Sequence, residues 1–103
     1  MQCNAAEKTF DALGNPLRRK ILRILYARPR AVGEIASGLP VSRPAVSKHL
    51  RILEKANLVS HEKQGNRNVF TLNAKGLRSA QEYLEDFWEG SLARFKMVAE
   101  NKK

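Results

Sequence analysis

Residues 41–53 read Val41-Ser42-Arg43-Pro44-Ala45-Val46-Ser47-Lys48-His49-Leu50-Arg51-Ile52-Leu53, and this stretch decides the fold. Ser42 has a hydroxyl that accepts from an unpaired N–H at a helix start, and Pro44 is tolerated in a first turn. The segment therefore predicts a helix beginning at Ser42 and continuing through Lys55 or Ala56. At helical steps of about 100°, Val46, Leu50 and Leu53 fall within about 60° of one another and form an inward face. The same projection gathers Pro44, Lys48, Arg51 and Lys55 on the opposite side, with Ser47 and Arg43 flanking that stripe. One face is apolar and the other is basic and hydrogen-bonding. Taken alone, such a helix is most often an ordinary amphipathic one whose charges are merely hydrated; its neighbours in sequence decide.

Upstream, Val32 to Ser37 is a short helix whose Val32, Ile35 and Ala36 face inward, joined to the longer one through Gly38-Leu39-Pro40-Val41. Two helices joined by about four residues make a helix-turn-helix candidate. Pro40 fixes φ near −65° and cannot take a left-handed conformation, so this turn closes without one at that position. Earlier still, Ala5 to Leu13 predicts a helix with Ala6, Phe10 and Leu13 on one side, ended by Gly14. Asn15 caps the next helix and Pro16 suits its first position. There Leu17, Ile21, Ile24 and Leu25 repeat at helical spacing while Arg18, Arg19, Lys20 and Arg23 take the wetter side, until Arg28-Pro29-Arg30.

Downstream, Leu58 to Lys63 and Asn68 to Leu72 read as short strands around the polar tip Gln64-Gly65-Asn66-Arg67, which predicts a β-hairpin. Asn73 caps a last helix running from Ala74 towards Glu100, where Leu77, Leu84, Trp88 and Phe95 repeat at helical intervals. Gly90-Ser91 leaves open whether that helix is continuous, kinked or split. Unbroken, it would be about 40 Å long, more than one small domain can cover. A second subunit is the expected cover, with this helix and Ala5 to Leu13 pairing across a two-fold axis. Phe10, Leu77, Leu84, Phe87, Trp88, Leu92 and Phe95 are the candidate dimer-interface residues. At this spacing an aromatic stripe is more often a packing face than the lining of a ligand pocket.

The chain of 103 residues is read as one domain, 1–103, with 74–100 as its dimerisation helix; 43% hydrophobic and 28% charged residues are ordinary globular proportions. No run reaches eighteen apolar residues, and Glu7 and Lys8 stand where a signal peptide needs an apolar stretch, so a cytoplasmic protein without a membrane partner is expected. The single cysteine, Cys3, allows no internal disulfide and makes a cysteine-built metal cage implausible.

The formal charge of +9 is concentrated. Positions 15–69 carry twelve lysines and arginines against Glu34, Glu54 and Glu62, whereas the remaining seven basic and seven acidic side chains cancel. An acidic partner docking on the central part follows, and the helix face derived above fits duplex DNA. The major groove, about 12 Å wide, presents acceptors that Arg and Lys read, and Ser donates or accepts there. The candidate DNA-binding residues are Arg43, Pro44, Ser47, Lys48 and Arg51 on the helix. Lys63, Gln64, Asn66 and Arg67 at the hairpin tip contact flanking DNA, with Arg67 or Lys63 on phosphate or in the adjacent minor groove, and Arg18 and Arg19 serve as phosphate clamps.

Residues 10–22, Phe-Asp-Ala-Leu-Gly-Asn-Pro-Leu-Arg-Arg-Lys-Ile-Leu, together with 41–53, resemble the ArsR/SmtB family of repressors. The resemblance covers roughly residues 5–73, including Gly33-Glu34-Ile35-Ala36 and the hairpin, and extends more loosely through Phe87-Trp88 and Leu92-Ala93-Arg94-Phe95. It implies a mainly α winged helix-turn-helix fold, about five helices plus a two-stranded wing, dimerising through its terminal helices. It further implies a repressor of inverted-repeat operators, with the positions matching Arg43, Pro44, Ser47 and Lys48 near base edges. Metal-sensing members carry a cysteine pair before the recognition helix, or Asp, His and Glu ligands on the last helix. Residues 31–37 contain no Cys and no His follows His61, so the chain resembles the branch that senses no metal, and no cofactor is expected.

His49 lies between the two faces of its helix, where packing with a satisfied nitrogen is favoured over a phosphate contact or a pH-sensitive role. His61 has no second plausible metal ligand nearby in sequence, and Cys3 has no resolving partner for redox sensing. An enzyme is not expected, because no phosphate-cradling glycine loop, metal cluster or activated nucleophile is legible. The rival readings are a sequence-indifferent nucleoid-type DNA-binding protein, which basic charge alone would support, and a protein-interaction module using the Trp88 helix. The operator, the regulated genes and any inducing ligand are not legible.

Overall fold

The computed structural model describes the backbone of residues 5–101 and, within them, the side chains of 7–90 and Arg94. These residues form α1 (Ala5–Leu13), α2 (Pro16–Ala27), β1 (Arg30–Ala31), α3 (Val32–Ser37), α4 (Arg43–Lys55), β2 (Val59–Gln64), β3 (Arg67–Leu72) and α5 (Ala74–Asn101). The helix starts follow their caps. Asn15 Oδ1 accepts from the Leu17 and Arg18 amides at 2.8 and 3.1 Å, Ser42 Oγ accepts from Ala45 at 3.3 Å, and Asn73 Oδ1 accepts from Lys75 at 3.0 Å.

Ile21 and Leu25 of α2, Ile35 of α3, and Val46, Leu50 and Leu53 of α4 close on Leu58, Val59 and Phe70 to make the core, with Ala12 of α1 completing it. Val32, Ala36, Ile24 and Leu77 pack around its edge. On α1 the deepest positions are Thr9 and Ala12, while Phe10 and Leu13 are only half-buried. The expected inward set of that helix is therefore rotated, and Thr9 faces the end of α4, where its Oγ1 donates to the Ala56 carbonyl at 3.4 Å.

The sheet holds one strand more than the expected two-stranded hairpin. Its order is β1-β3-β2, all antiparallel, with Arg30 opposite Phe70 and Ala31 opposite Val69. A two-residue strand leaves no alternation to read, so Arg28-Pro29-Arg30 signals only the end of α2. The hairpin is also tighter than expected. Gln64 pairs with Arg67, leaving Gly65 and Asn66 as a two-residue turn in which Gly65 has φ +63°. Glycine takes that conformation at no steric cost, and the strands extend to the turn on both sides.

Between α3 and α4 the amides of Gly38 and Leu39 donate to the Ile35 and Ala36 carbonyls at 3.1 Å each. Among the described residues only Asn57 and Gly65 have positive φ, so the turn carrying Pro40 closes without a left-handed residue, as its proline requires.

α4 ends in a Schellman arrangement: Leu58 N–H reaches the Leu53 carbonyl and Asn57 N–H the Glu54 carbonyl, both at 3.0 Å, with Asn57 left-handed at φ 62°. Leu53 and Leu58 are both fully buried across it. The start of α5 seats on this loop, since Asn73 N–H donates to the Leu58 carbonyl at 2.9 Å and Gly76 lies where a Cβ would overlap the Asn57 carbonyl. From there α5 runs unbroken through Gly90, so the glycine does not split it. Every residue from Gln81 to Gly90 is exposed, so the helix leaves the core behind at Ala80. No helix among the described residues is long and apolar enough to cross a membrane.

Candidate nucleic-acid interface

α4 is held by its apolar face, which leaves the other side free. Arg43, Pro44, Lys48, Arg51 and Lys55 are exposed and Ser47 is half-buried. The hairpin residues Lys63, Gln64, Asn66 and Arg67 are exposed as well. Two of the expected groups meet: Arg43 at the start of α4 lines one open cleft with Asn66, Arg67 and Asn68 of the hairpin and with Gly33, Glu34 and Ser37 of α3. The Arg43 guanidinium passes within 3.7 Å of the space beside Gly33 that a larger residue's Cβ would take.

Arg18 and Arg19 are placed differently. Arg18 Nε donates to the Ala12 carbonyl at 2.8 Å and Nη2 to the Asp11 carbonyl at 3.2 Å, while Arg19 Nη1 donates to the Leu13 carbonyl at 2.8 Å. Both donate to carbonyls in the last turn of α1, among them that of Asp11, which also accepts from the Gly14 amide. Arg18 Nη1 also lies 3.3 Å from His49 Nδ1. A guanidinium can only donate, so that nitrogen accepts and the ring proton sits on Nε2. Loss of solvent, then the positive charges of Arg18 and Lys48, hold the His49 pKa below its ordinary value. His49 thus stands as the half-buried, satisfied histidine favoured from sequence.

Glu34 is the residue that sequence reasoning passed over. Its Oε1 accepts from Ala31 N–H at 3.0 Å and pairs with Arg67 Nη2 at 3.0 Å, while Oε2 stands 3.8 Å from Arg28 Nη2. The Ala31 N–H first, helped by Arg67, Arg28 and Arg30, holds the Glu34 carboxyl below its ordinary value and outweighs partial desolvation. The signal was present: Glu34 is the third residue of α3, where a carboxylate reaches back to the amide before the helix. Glu54, another acid of the basic span, takes His61 Nδ1 at 2.8 Å, and the His61 ring lies 5.1 Å from Phe70. That pairing accounts for His61 without a ligand, and no group of three or more potential metal ligands lies together among the described residues.

On α5, Leu84 is 51%, Phe87 66% and Trp88 62% exposed, and Leu77, Ala80, Leu84 and Trp88 line one shallow apolar groove. Leu77 is shared with the subunit's own core. Phe10 rests against Tyr83, ring centroids 5.4 Å apart, which joins α1 to α5 and adds Tyr83 to the apolar surface. The side chains of Leu92 and Phe95, and Cys3, lie outside the described residues.

Residues 13–62 match the model of a helix-turn-helix domain family. The chain is 38% identical to the HTH-type transcriptional regulator Rv2034 of Mycobacterium tuberculosis, over 93% of this chain and 90% of that one. It is 33% identical to the transcriptional repressor SdpR of Bacillus subtilis, over 76% of this chain and 87% of that one. An ArsR-like transcriptional regulator from Rhodococcus sp. RHA1 superposes with a TM-score of 0.78 at 31% identity, covering 92% of each chain.

Proposed function

The chain belongs to the ArsR/SmtB family of winged helix-turn-helix transcriptional regulators, and we propose that it acts as a homodimeric repressor that reads an inverted-repeat operator. In this reading α4 enters the major groove with Arg43, Pro44, Ser47, Lys48 and Arg51. The wing follows the flanking backbone with Lys63, Gln64, Asn66 and Arg67. The observation that carries it is the meeting of Arg43 with Asn66 and Arg67 around one cleft beside the free basic face of α4. A helix presented this way offers donors to base edges while the hairpin tip supplies sequence-independent phosphate contacts.

The dimer rests on α5. Its exposed Leu84, Phe87 and Trp88 make an apolar stripe that the subunit does not bury, continued by Phe10 and Tyr83. Pairing this stripe with its symmetry copy would set two α4 helices about one DNA turn apart. Arg18 and Arg19 support this arrangement by fixing the end of α1 rather than by clamping phosphate. Family members of this kind regulate transcription rather than catalyse a reaction, and the protein acts in the cytoplasm, where its DNA lies. It senses no metal through the two ligand sets of its metal-sensing relatives, since neither occurs in its sequence.

Titration of the protein against the DNA upstream of its own gene and against random duplex, at several salt concentrations, tests the proposal. A protected inverted repeat with affinity at least about a thousandfold above random DNA is expected. Equal affinity for both, with the same salt dependence, would leave a sequence-indifferent nucleoid-type protein instead.

A further inference from the structure

Within the basic span, the Glu34 carboxylate takes hold of the same wing arginine that the proposed DNA contact requires. Among the described residues, the arginine–carboxylate pairs are the two that Glu34 makes, with Arg67 at 3.0 Å and with Arg28 at 3.8 Å. Its third partner, the Ala31 N–H, fixes the carboxylate from behind at 3.0 Å. Both arginine side chains are 60% exposed and that of Glu34 is 40% exposed, so water and a duplex reach the pair. Exposed pairs of this kind are weakly held and exchange readily for another anion.

We propose that Glu34 is an intramolecular competitor of DNA phosphate, occupying the Arg67 guanidinium so that it attenuates the wing's grip on any duplex. This rests on the reading of the wing as a backbone contact. Binding of a cation-bearing protein releases counterions condensed on DNA, and the slope of log affinity against log salt counts them. When a phosphate takes Arg67 from Glu34, the freed carboxylate recovers a cation from solution, cancelling one release. The same holds if Arg67 stays on Glu34 in the complex, since that contact is then never made. In either case the Glu34 charge makes binding weaker and less salt-sensitive, on cognate and random sequences alike. The alternative is that Glu34 preorganises Arg67 for DNA, which reverses the sign.

Glu34→Gln separates the two. The amide oxygen still accepts from Ala31 N–H, so the start of α3 is kept; thermal melting of the variant checks this. Measured on random duplex and on the protein's own upstream DNA, the variant is expected to bind roughly three- to tenfold tighter at low salt, with a slope steeper by about 0.9. In an Arg67→Gln background the same change is expected to give less than half that gain, because the remaining effect passes through the more distant Arg28 and Arg30. Unchanged or weaker binding by Glu34→Gln would overturn the proposal, and so would an equal gain with and without Arg67. The random-duplex arm needs no operator: absence of sequence preference in the unaltered protein would defeat the repressor reading and leave this test intact. An operator preference with an unmoved salt slope would defeat only the role of Glu34.

Discussion

Arg18 Nη1 donates to His49 Nδ1 across 3.3 Å, while the rest of the same guanidinium holds the Asp11 and Ala12 carbonyls at the end of α1. One side chain therefore ties the helix beside the apolar α5 stripe to the helix proposed to read DNA. The tie needs a neutral imidazole, because a protonated Nδ1 would present a donor to a donor and a charge to a charge.

A pH dependence follows from that geometry. The folded-state pKa of His49 lies below the ordinary value of 6.5, so the unfolded chain takes up this proton first. The stability that this group contributes is present above about pH 6.5 and is lost as pH falls through the lower folded-state pKa. Urea denaturation of the unaltered protein and of His49→Asn, whose Oδ1 still accepts from Arg18, should therefore diverge below pH 6.5. The variant is expected to lose less stability on acidification. Parallel curves would show that protonating His49 does not cost the folded state its contact with Arg18.

The two α5 glycines should respond oppositely to alanine. Gly76→Ala drives a methyl into the Asn57 carbonyl at the α4–α5 junction, and overfilling a packed site costs about 1–3 kcal/mol, or more where backbone must move. Gly90 has nothing within 4 Å of the Cβ position. Alanine there should stabilise the helix by roughly 0.5–1 kcal/mol by reducing unfolded-chain freedom. Thermal melts of the two variants check the difference in sign.

Replacing an apolar residue of the α5 stripe by a charge should dissociate the proposed dimer without unfolding the subunit. Leu84 and Trp88 are more than half exposed in the single subunit, so Leu84→Glu or Trp88→Glu leaves the α1–α4 core untouched. Sedimentation at micromolar concentration is expected to give a dimer for the unaltered protein and a monomer for either variant, with far-ultraviolet circular dichroism retained. A stable monomer for the unaltered protein would remove the two-fold arrangement.

Base reading and backbone contact should separate by residue. Ser47→Ala or Lys48→Ala should cost about 1–3 kcal/mol on the operator and little on random DNA. Arg67→Ala, made beside Glu34→Gln so that the guanidinium is free, should weaken all sequences alike and lower the salt slope by about 1. Equal losses on all sequences for all three would leave α4 with no part in recognition.

Much of this architecture was legible because its signals are local. Ser42, Asn15 and Asn73 announce helix starts through their own side chains, and Val46, Leu50 and Leu53 mark a face by period alone. The readings that shifted depend on what another element brings near. Arg18 belongs to a run that reads as a wet basic face, but its carbonyl partners lie six and seven residues earlier, across a turn. Arg67 reads as a free wing cation, yet its partner Glu34 lies 33 positions away. β1 has two residues and no period of its own, and the role of Gly76 is set by the Asn57 carbonyl packed against it. Continuity through Gly90 was open because glycine weakens a helix without forbidding it.

In the proposed arrangement the outward face of α4, paired about a two-fold axis, is what a duplex meets. Protection of guanine N7 from methylation reports occupation of the major groove base by base. On the DNA upstream of the gene, the protein is expected to protect two clusters of guanines centred roughly 10 base pairs apart and related by inverted symmetry, both lost with Lys48→Ala. Bound DNA whose guanines stay equally reactive along its whole length, or whose protection survives Lys48→Ala unchanged, would contradict the placement of α4 in the groove.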